Sequence, residues 1–233
     1  MQKQTKIILT TLIAILILFV SSCSSTKPKY EEQEIFIFET IQFGGYQWQV
    51  LETQEDRALI ISKQMLEMRA YHTRREDTNW SNSSMRAYLN GEFYNSAAFS
   101  DSDRERIIEV TVTTENNQWY DTNSGPDTQD KIFLLSLAEV VRYFGDSGNL
   151  AKVNKREGYF RDDYNWNRTT TLLNSTQIPG WWLRSPGEIG TKASFINAGG
   201  YVVLKGDFVN VTGGGMRPAM WIQLPSVPTA SRR

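Results

Sequence analysis

The chain has 233 residues, 25 of them basic and 26 acidic, with a formal net charge of −1, one histidine and one cysteine. That balance offers no basic surface to neutralise phosphates, which argues against a nucleic-acid partner. A single cysteine excludes an intrachain disulfide and a zinc–cysteine centre, while 40% hydrophobic and 12% aromatic residues suit one globular domain of this length.

Lys3 and Lys6 precede residues 7–20, an apolar run of 14 residues. This falls short of the ~20 that a spanning helix needs, so it reads as the hydrophobic part of a signal peptide, residues 1–22. The run ends on Val20-Ser21-Ser22-Cys23, which resembles the lipobox of bacterial lipoproteins. The resemblance implies that Cys23 is acylated and becomes the mature N-terminus, placing the protein at the extracytoplasmic face of a cell envelope. Residues 23–34 are polar, carry Pro28 and lack periodicity, as a tether does. A single folded domain is expected over 35–225, with a disordered tail at 226–233.

Residues 41–51 alternate apolar and polar around Gly44 and Gly45, and 58–62 form a second apolar run, which predicts a β-hairpin. Met85, Tyr88 and Leu89 make one apolar stripe of a helix over 83–93. Ser100 with Asp103 predicts a second helix running through Ile107 and Ile108, followed by a strand over 109–114. Residues 132–135 are a buried run, and Ser136 with Glu139 is a capping box for a helix to Phe144, stopped by Gly145. Residues 146–179 have no period and read as a long functional loop. Five late strands are expected at 181–184, 193–197, 201–204, 208–211 and 219–224, with Gly213-Gly214-Gly215 as a turn. The pattern is α+β with mostly antiparallel strands.

Five blocks stand in order: FGGYQWQVL at 43–51, WSNSSMRAYLN at 80–90, DTQDKIFLLSLAEVVRYF at 127–144, WWLRSPG at 181–187 and GGGMRPAMWI at 213–222. Together, over 41–224, they resemble domain of unknown function 6273, a bacterial family whose resemblance implies no established activity. More distantly the tryptophan-rich end is similar to the C-type-lectin-like fold of formylglycine-generating enzymes and phage tail tips. That likeness implies that the two chain ends share one sheet, the first hairpin beside 219–224, and that 146–179 displays a ligand surface.

Trp48, Trp181, Trp182 and Trp221 lie in strand-like runs and are expected in the core. Arg184 and Arg217 sit beside apolar residues and call for carboxylate or carbonyl partners, with Asp127 and Asp130 as acceptors. His72, within a polar basic stretch, reads as a solvated loop residue, and no catalytic set accompanies it. No cofactor is expected. Asp162 and Asp163, among asparagines, are the one candidate pair for Ca²⁺, although the run lacks EF-hand spacing and a plain polar loop is the simpler reading. The expected function is ligand binding without catalysis, for a glycan, peptide or other envelope component. Tyr164, Asn165, Trp166 and Asn167 are the first contacts, and Asn197, Tyr201 and Asn210 the second. A carboxylate-dependent hydrolase acting on envelope glycans and a structural envelope protein are the competing readings.

Overall fold

The computed structural model describes residues 36–225 except 147, 149 and 154–156. The signal peptide, Cys23, the tether and the tail lie outside the described residues. An N-terminal meander opens the domain: β1 (Thr40–Phe43), β2 (Tyr46–Gln54) and β3 (Arg57–Ser62) pair antiparallel in succession. Gly44 turns the chain at φ +55, where a Cβ would come within 2.5 Å of the Ala98 carbonyl. After β4 (Glu67–Met68), helix α1 (Ser84–Tyr88) runs straight into a π-helical turn, Leu89–Phe93. Helix α2 (Asp101–Arg106) has the expected Ser100–Asp103 capping box but ends earlier than its sequence suggests. Ile107 and Ile108 instead form β5 (Ile107–Ile108), because pairing with Ile222 and Trp221 outweighs another helical turn.

The strand expected over 109–114 is shorter, β6 (Val110–Val112), and pairs with β7 (Thr128–Asp130). Helix α3 (Leu137–Phe144) keeps its Ser136–Glu139 capping box and buries Val140, Tyr143 and Phe144; Gly145 at φ +101 closes it. Among its described residues the long segment that follows carries a 3₁₀ turn (Leu150–Lys152), β8 (Tyr159–Phe160) and one turn of helix, α4 (Asn165–Arg168). Then come β9 (Gly180–Pro186), β10 (Lys192–Ile196), β11 (Val202–Phe208), β12 (Gly214–Met216) and β13 (Ala219–Gln223). Two expectations fail here. Residues 201–204 and 208–211 are not separate strands; β11 continues through Gly206, whose φ of +70 accommodates the Ala193 carbonyl, 2.3 Å from where a Cβ would sit. Gly214 and Gly215 form a strand and not a turn, because only glycine leaves room for the Trp182 ring and the Met65 side chain.

The strands assemble into a five-stranded sheet, β1-β2-β3-β13-β5, a six-stranded sheet, β4-β12-β9-β10-β11-β8, and the β6-β7 pair. Pairing is antiparallel except between β12 and β9. The architecture is therefore α+β and mostly antiparallel. β13 beside β3 brings the start and end of the described domain into one sheet.

The two sheets are riveted where the chain crosses from β12 to β13. Arg217, 1% exposed, lies over the rings of Trp181 and Phe144 at 5.0 and 5.1 Å, donates from Nε to the Ser62 carbonyl and from Nη2 to Gln49 Oε1. Trp181 and Trp182 point to opposite faces of β9, yet each is only 1% exposed. Trp181 meets Phe144, while Trp182 is covered by Tyr71 and Phe195. Among the described residues no helix is long and apolar enough to cross a membrane.

Candidate functional site

The seven tryptophans of the chain divide by what their indole N–H touches. Trp48 donates to the Phe43 carbonyl at 2.8 Å, Trp80 to Asp130 at 2.7 Å, and Trp181 and Trp182 to the Arg168 and Arg69 carbonyls at 2.9 Å. All four are at most 1% exposed. A buried indole needs such an acceptor. The indoles of Trp119, Trp166 and Trp221 have no hydrogen-bond acceptor among the described residues, and none of the three is fully buried. Trp221, expected in the core, is only partly buried, because Met220 and Ile222 take the inward positions of β13. Trp166 stands out furthest, at 63% exposure.

Beneath Trp166 the long segment is clamped. Arg168 and Asp162 form an ion pair at 2.8 Å with both side chains fully shielded from solvent. The second guanidinium nitrogen donates to Asp162 Oδ2 and to the Gly145 carbonyl at 2.7 Å. Asp162 Oδ1 also accepts the Tyr164 amide at 3.0 Å, and Asn165 Oδ1 accepts the Asp162 amide at 3.2 Å. This closes a short turn that forces the next residue, Trp166, outward. Two buried charges survive out of water only when paired and bonded in this way.

The sequence-predicted contacts separate accordingly. Tyr164 packs its ring on Phe36 at 5.5 Å and lies against Gly145, where a Cβ would come within 2.4 Å of it. Asn165 is spent inside the turn, and Asn167 Oδ1 accepts the Phe36 amide at 3.3 Å. Only Trp166 of the four projects. The Asn197–Tyr201 turn packs beside it: a Cβ on Gly200 would sit 1.8 Å from the Asn165 carbonyl oxygen. Asn197 holds that turn by accepting the Gly199 and Tyr201 amides at 3.0 Å. Tyr201 stacks on Tyr159, itself 42% exposed, at 5.9 Å and 13°. The stacked Tyr159–Tyr201 pair and Trp166 thus belong to neighbouring stretches of one surface. Asn210 does not join them, since β11 puts roughly 23 Å of strand between it and Tyr201. Tyr159 was missed because a two-residue strand gives no periodic signal.

The remaining candidates hold the fold. Arg184, 3% exposed, binds Glu139 with two nitrogens and the Leu134 and Thr113 carbonyls at 2.7 and 2.9 Å. Among the described residues Arg217 has no carboxylate partner, and burial pushes its guanidinium below the ordinary value. The expected acceptor Asp130 serves Trp80, Arg86 and Thr128 instead. His72 is not a loose loop residue. Nδ1 accepts the Ser84 amide at 3.1 Å, Nε2 lies 3.0 Å from Glu76, and the side chain is 12% exposed. Ser84 Oγ also lies 3.1 Å from Nδ1, which resembles a serine–histidine–carboxylate relay. The helix amides beside it are engaged in the same cap, Met85 by the Tyr71 carbonyl and Arg86 by Ser83 Oγ. His72 is a helix cap. Among the described residues no group of three or more His, Cys, Asp or Glu side chains is placed to hold a metal ion, and Asp162 gives both its oxygens to Arg168.

A family model described as Domain of unknown function (DUF6273) matches residues 55–224, from β3 to the end of β13; β1, β2 and the FGGYQWQVL block at 43–51 lie outside the match. The chain belongs to this family. The specific blocks of the DUF6273 domain now have physical roles: WWLRSPG is the doubly buried central strand, GGGMRPAMWI the crossing between sheets, and WSNSSMRAYLN the helical segment bonded to Asp130. No match was found among curated proteins or among solved structures.

Proposed function

We propose that this DUF6273 domain is a non-catalytic ligand-binding module, carried on the extracytoplasmic face of a bacterial envelope by a lipid on Cys23. The reading takes the fold as C-type-lectin-like, supported by the adjacency of β3 and β13 and by a long irregular segment given over to a surface. The observation that carries it is Trp166, a 63% exposed tryptophan on one helical turn whose underside is fixed by a fully buried ion pair. Exposing an indole gives up burial free energy of roughly 1.5–3 kcal/mol. Holding it rigidly lowers the entropy cost of binding. Together with Tyr159 and Tyr201 it offers aromatic faces of the kind that stack on sugar rings or peptide side chains.

Full-length protein screened on glycan and peptide arrays tests this. Binding without product formation, abolished by Trp166→Ala, is expected. Product release from an envelope glycan, or binding undiminished in Trp166→Ala, overturns it. The anchor is tested separately: Cys23→Ser is expected to lose lipid labelling and leave the detergent phase.

A further inference from the structure

A concave surface that Trp166 does not line lies elsewhere in the fold. It is an open cleft of about 550 Å³ beside β6, lined also by Arg57 of β3 and Trp221 of β13 and by Phe133, Arg184 and Glu139. Its size falls within the ~300–1,000 Å³ of small-molecule sites. We infer that this cleft is a subsite for a neutral saccharide.

The lining defines the ligand. The strand side alternates: Glu109, Thr111 and Thr113 are exposed while Val112 is buried, so a carboxylate and two hydroxyls stand in a row about 7 Å apart. The same cleft is lined by Trp221, one of the three indoles with no acceptor among the described residues, with the Arg57 guanidinium 4.7 Å from its ring centroid. The cleft thus combines an acceptor in Glu109, a donor in the indole N–H, the Arg57 nitrogens not bonded to Gln54, the Thr113 hydroxyl, and the Thr111 hydroxyl, which already accepts from Gln129 and is left to donate. A sugar hydroxyl both donates and accepts, and a mixed array of this kind matches several of them at once.

Charge argues against the alternatives. The lining carries two guanidinium groups, Arg57 and Arg184, and two carboxylates, Glu109 and Glu139, with Arg184 and Glu139 paired to each other, so neither an acidic nor a basic ligand gains from entering. Glu139 already accepts two Arg184 nitrogens and the Ser136 amide that caps α3, so it is not available as an acid or base.

The test reads Trp221 directly. ¹⁵N-labelled protein is titrated with cellotriose, chitotriose, maltotriose and a neutral tripeptide to about 10 mM, a range that covers weak millimolar binding. The indole resonances are assigned with Trp221→Phe and Trp166→Phe. A saturable shift of the Trp221 indole with at least one trisaccharide is expected, weakened about tenfold by Glu109→Gln and by Thr113→Val, as loss of one good hydrogen bond does. Both positions are exposed, so these variants keep the core intact. A Trp221 signal unmoved by all three sugars, moved only by the peptide, or moved equally in both variants overturns the proposal. The Trp166 resonance reports the other site, so the two readings fail independently.

Discussion

Trp181 bonds to the α4 turn and Trp166 is part of it, and the two have opposite fates. Trp181 is 1% exposed and donates its N–H to the Arg168 carbonyl, whereas Trp166, two residues before Arg168, is 63% exposed. The region around Trp181 is closed on every side, by Phe144, by Arg217 and by the neighbouring strands. The region around Trp166 is a short turn with polar groups inside it and an aromatic ring outside. The buried ion pair serves both: it seals the edge of the core on one side and fixes the display surface on the other. Stability and binding are thereby assigned to different side chains of one motif, and that separation can be broken or sharpened by substitution.

The largest effect is expected at the clamp. Asp162→Ala leaves the Arg168 guanidinium, fully shielded and already with one unbonded nitrogen at Nε, without its countercharge. Removing one partner of a buried pair costs about 3–5 kcal/mol, a large share of the ~5–15 kcal/mol of a typical domain. Urea unfolding checks it. A loss under about 1 kcal/mol would mean that water reaches the pair, and would detach the display turn from the core. The double variant Asp162→Leu, Arg168→Met is expected to recover most of the loss, because apolar replacements remove the unpaired charge.

Next is the packing of the core itself. A Cβ at Gly214 would fall 2.3 Å from the Trp182 indole. Gly214→Ala is therefore expected to cost about 1–3 kcal/mol by overpacking, measured as a shift in denaturation midpoint at constant slope. Gly213, one residue earlier, has nothing within 4 Å of its Cβ position and is the matched control.

These glycines show where sequence reasoning reached and where it stopped. Both capping boxes, at Ser100 and Ser136, were legible because they are local: the cap and its partner lie three residues apart and bond to each other's backbone. The sheet neighbours of Ile107 and Ile108 were not, because their helix-like context was overridden by β13, more than a hundred residues away. The same holds for the arginines. Their need for partners was readable, but Arg184 finds Glu139 and Arg217 finds carbonyl and amide oxygens by tertiary placement alone. At the binding surface, composition pointed to residues 164–167 but could not tell that three of the four side chains turn inward. That depends on Asp162 and Arg168 pairing across the turn, and the sequence shows them only as two more charges in a polar loop.

A pH experiment sharpens the contrast from the core side. Burial pushes the Tyr71 hydroxyl well above the usual phenol range, against the opposing Arg184 charge and Ser83 hydrogen bond. Tyr143 is raised likewise by burial and then by its hydrogen bond to Glu52. A raised folded-state value means that the unfolded chain releases its phenolic protons first, at about pH 10. The stabilisation from the neutral phenols is therefore fully present below about pH 10 and is lost as pH rises beyond it. Tyr71→Phe is expected to flatten the fall in stability above about pH 10 while costing about 0.5–1.5 kcal/mol at neutral pH for the lost bond to the Arg184 carbonyl. An unchanged alkaline slope would show that Tyr71 ionises without unfolding the core.

The smallest effect on stability is expected at the residue assigned the largest role in binding. Trp166→Ala removes a ring that is 63% exposed and makes no hydrogen bond through its indole to the described residues, so the denaturation midpoint should move by less than about 0.5 kcal/mol. The backbone of α4 is held by other groups, Arg168 to Asp162 and the Asn167 amide to the Tyr164 carbonyl at 3.0 Å, and none of them needs the indole. Trp181→Ala, at the other end of the comparison, should cost about 3–5 kcal/mol, as burying and then deleting an aromatic ring does. If Trp166→Ala proves as destabilising as Trp181→Ala, the ring packs on something in solution and the display surface does not exist. If it is neutral and the array signal is lost, one arginine has been shown to divide folding from recognition, with Trp181 below it and Trp166 above.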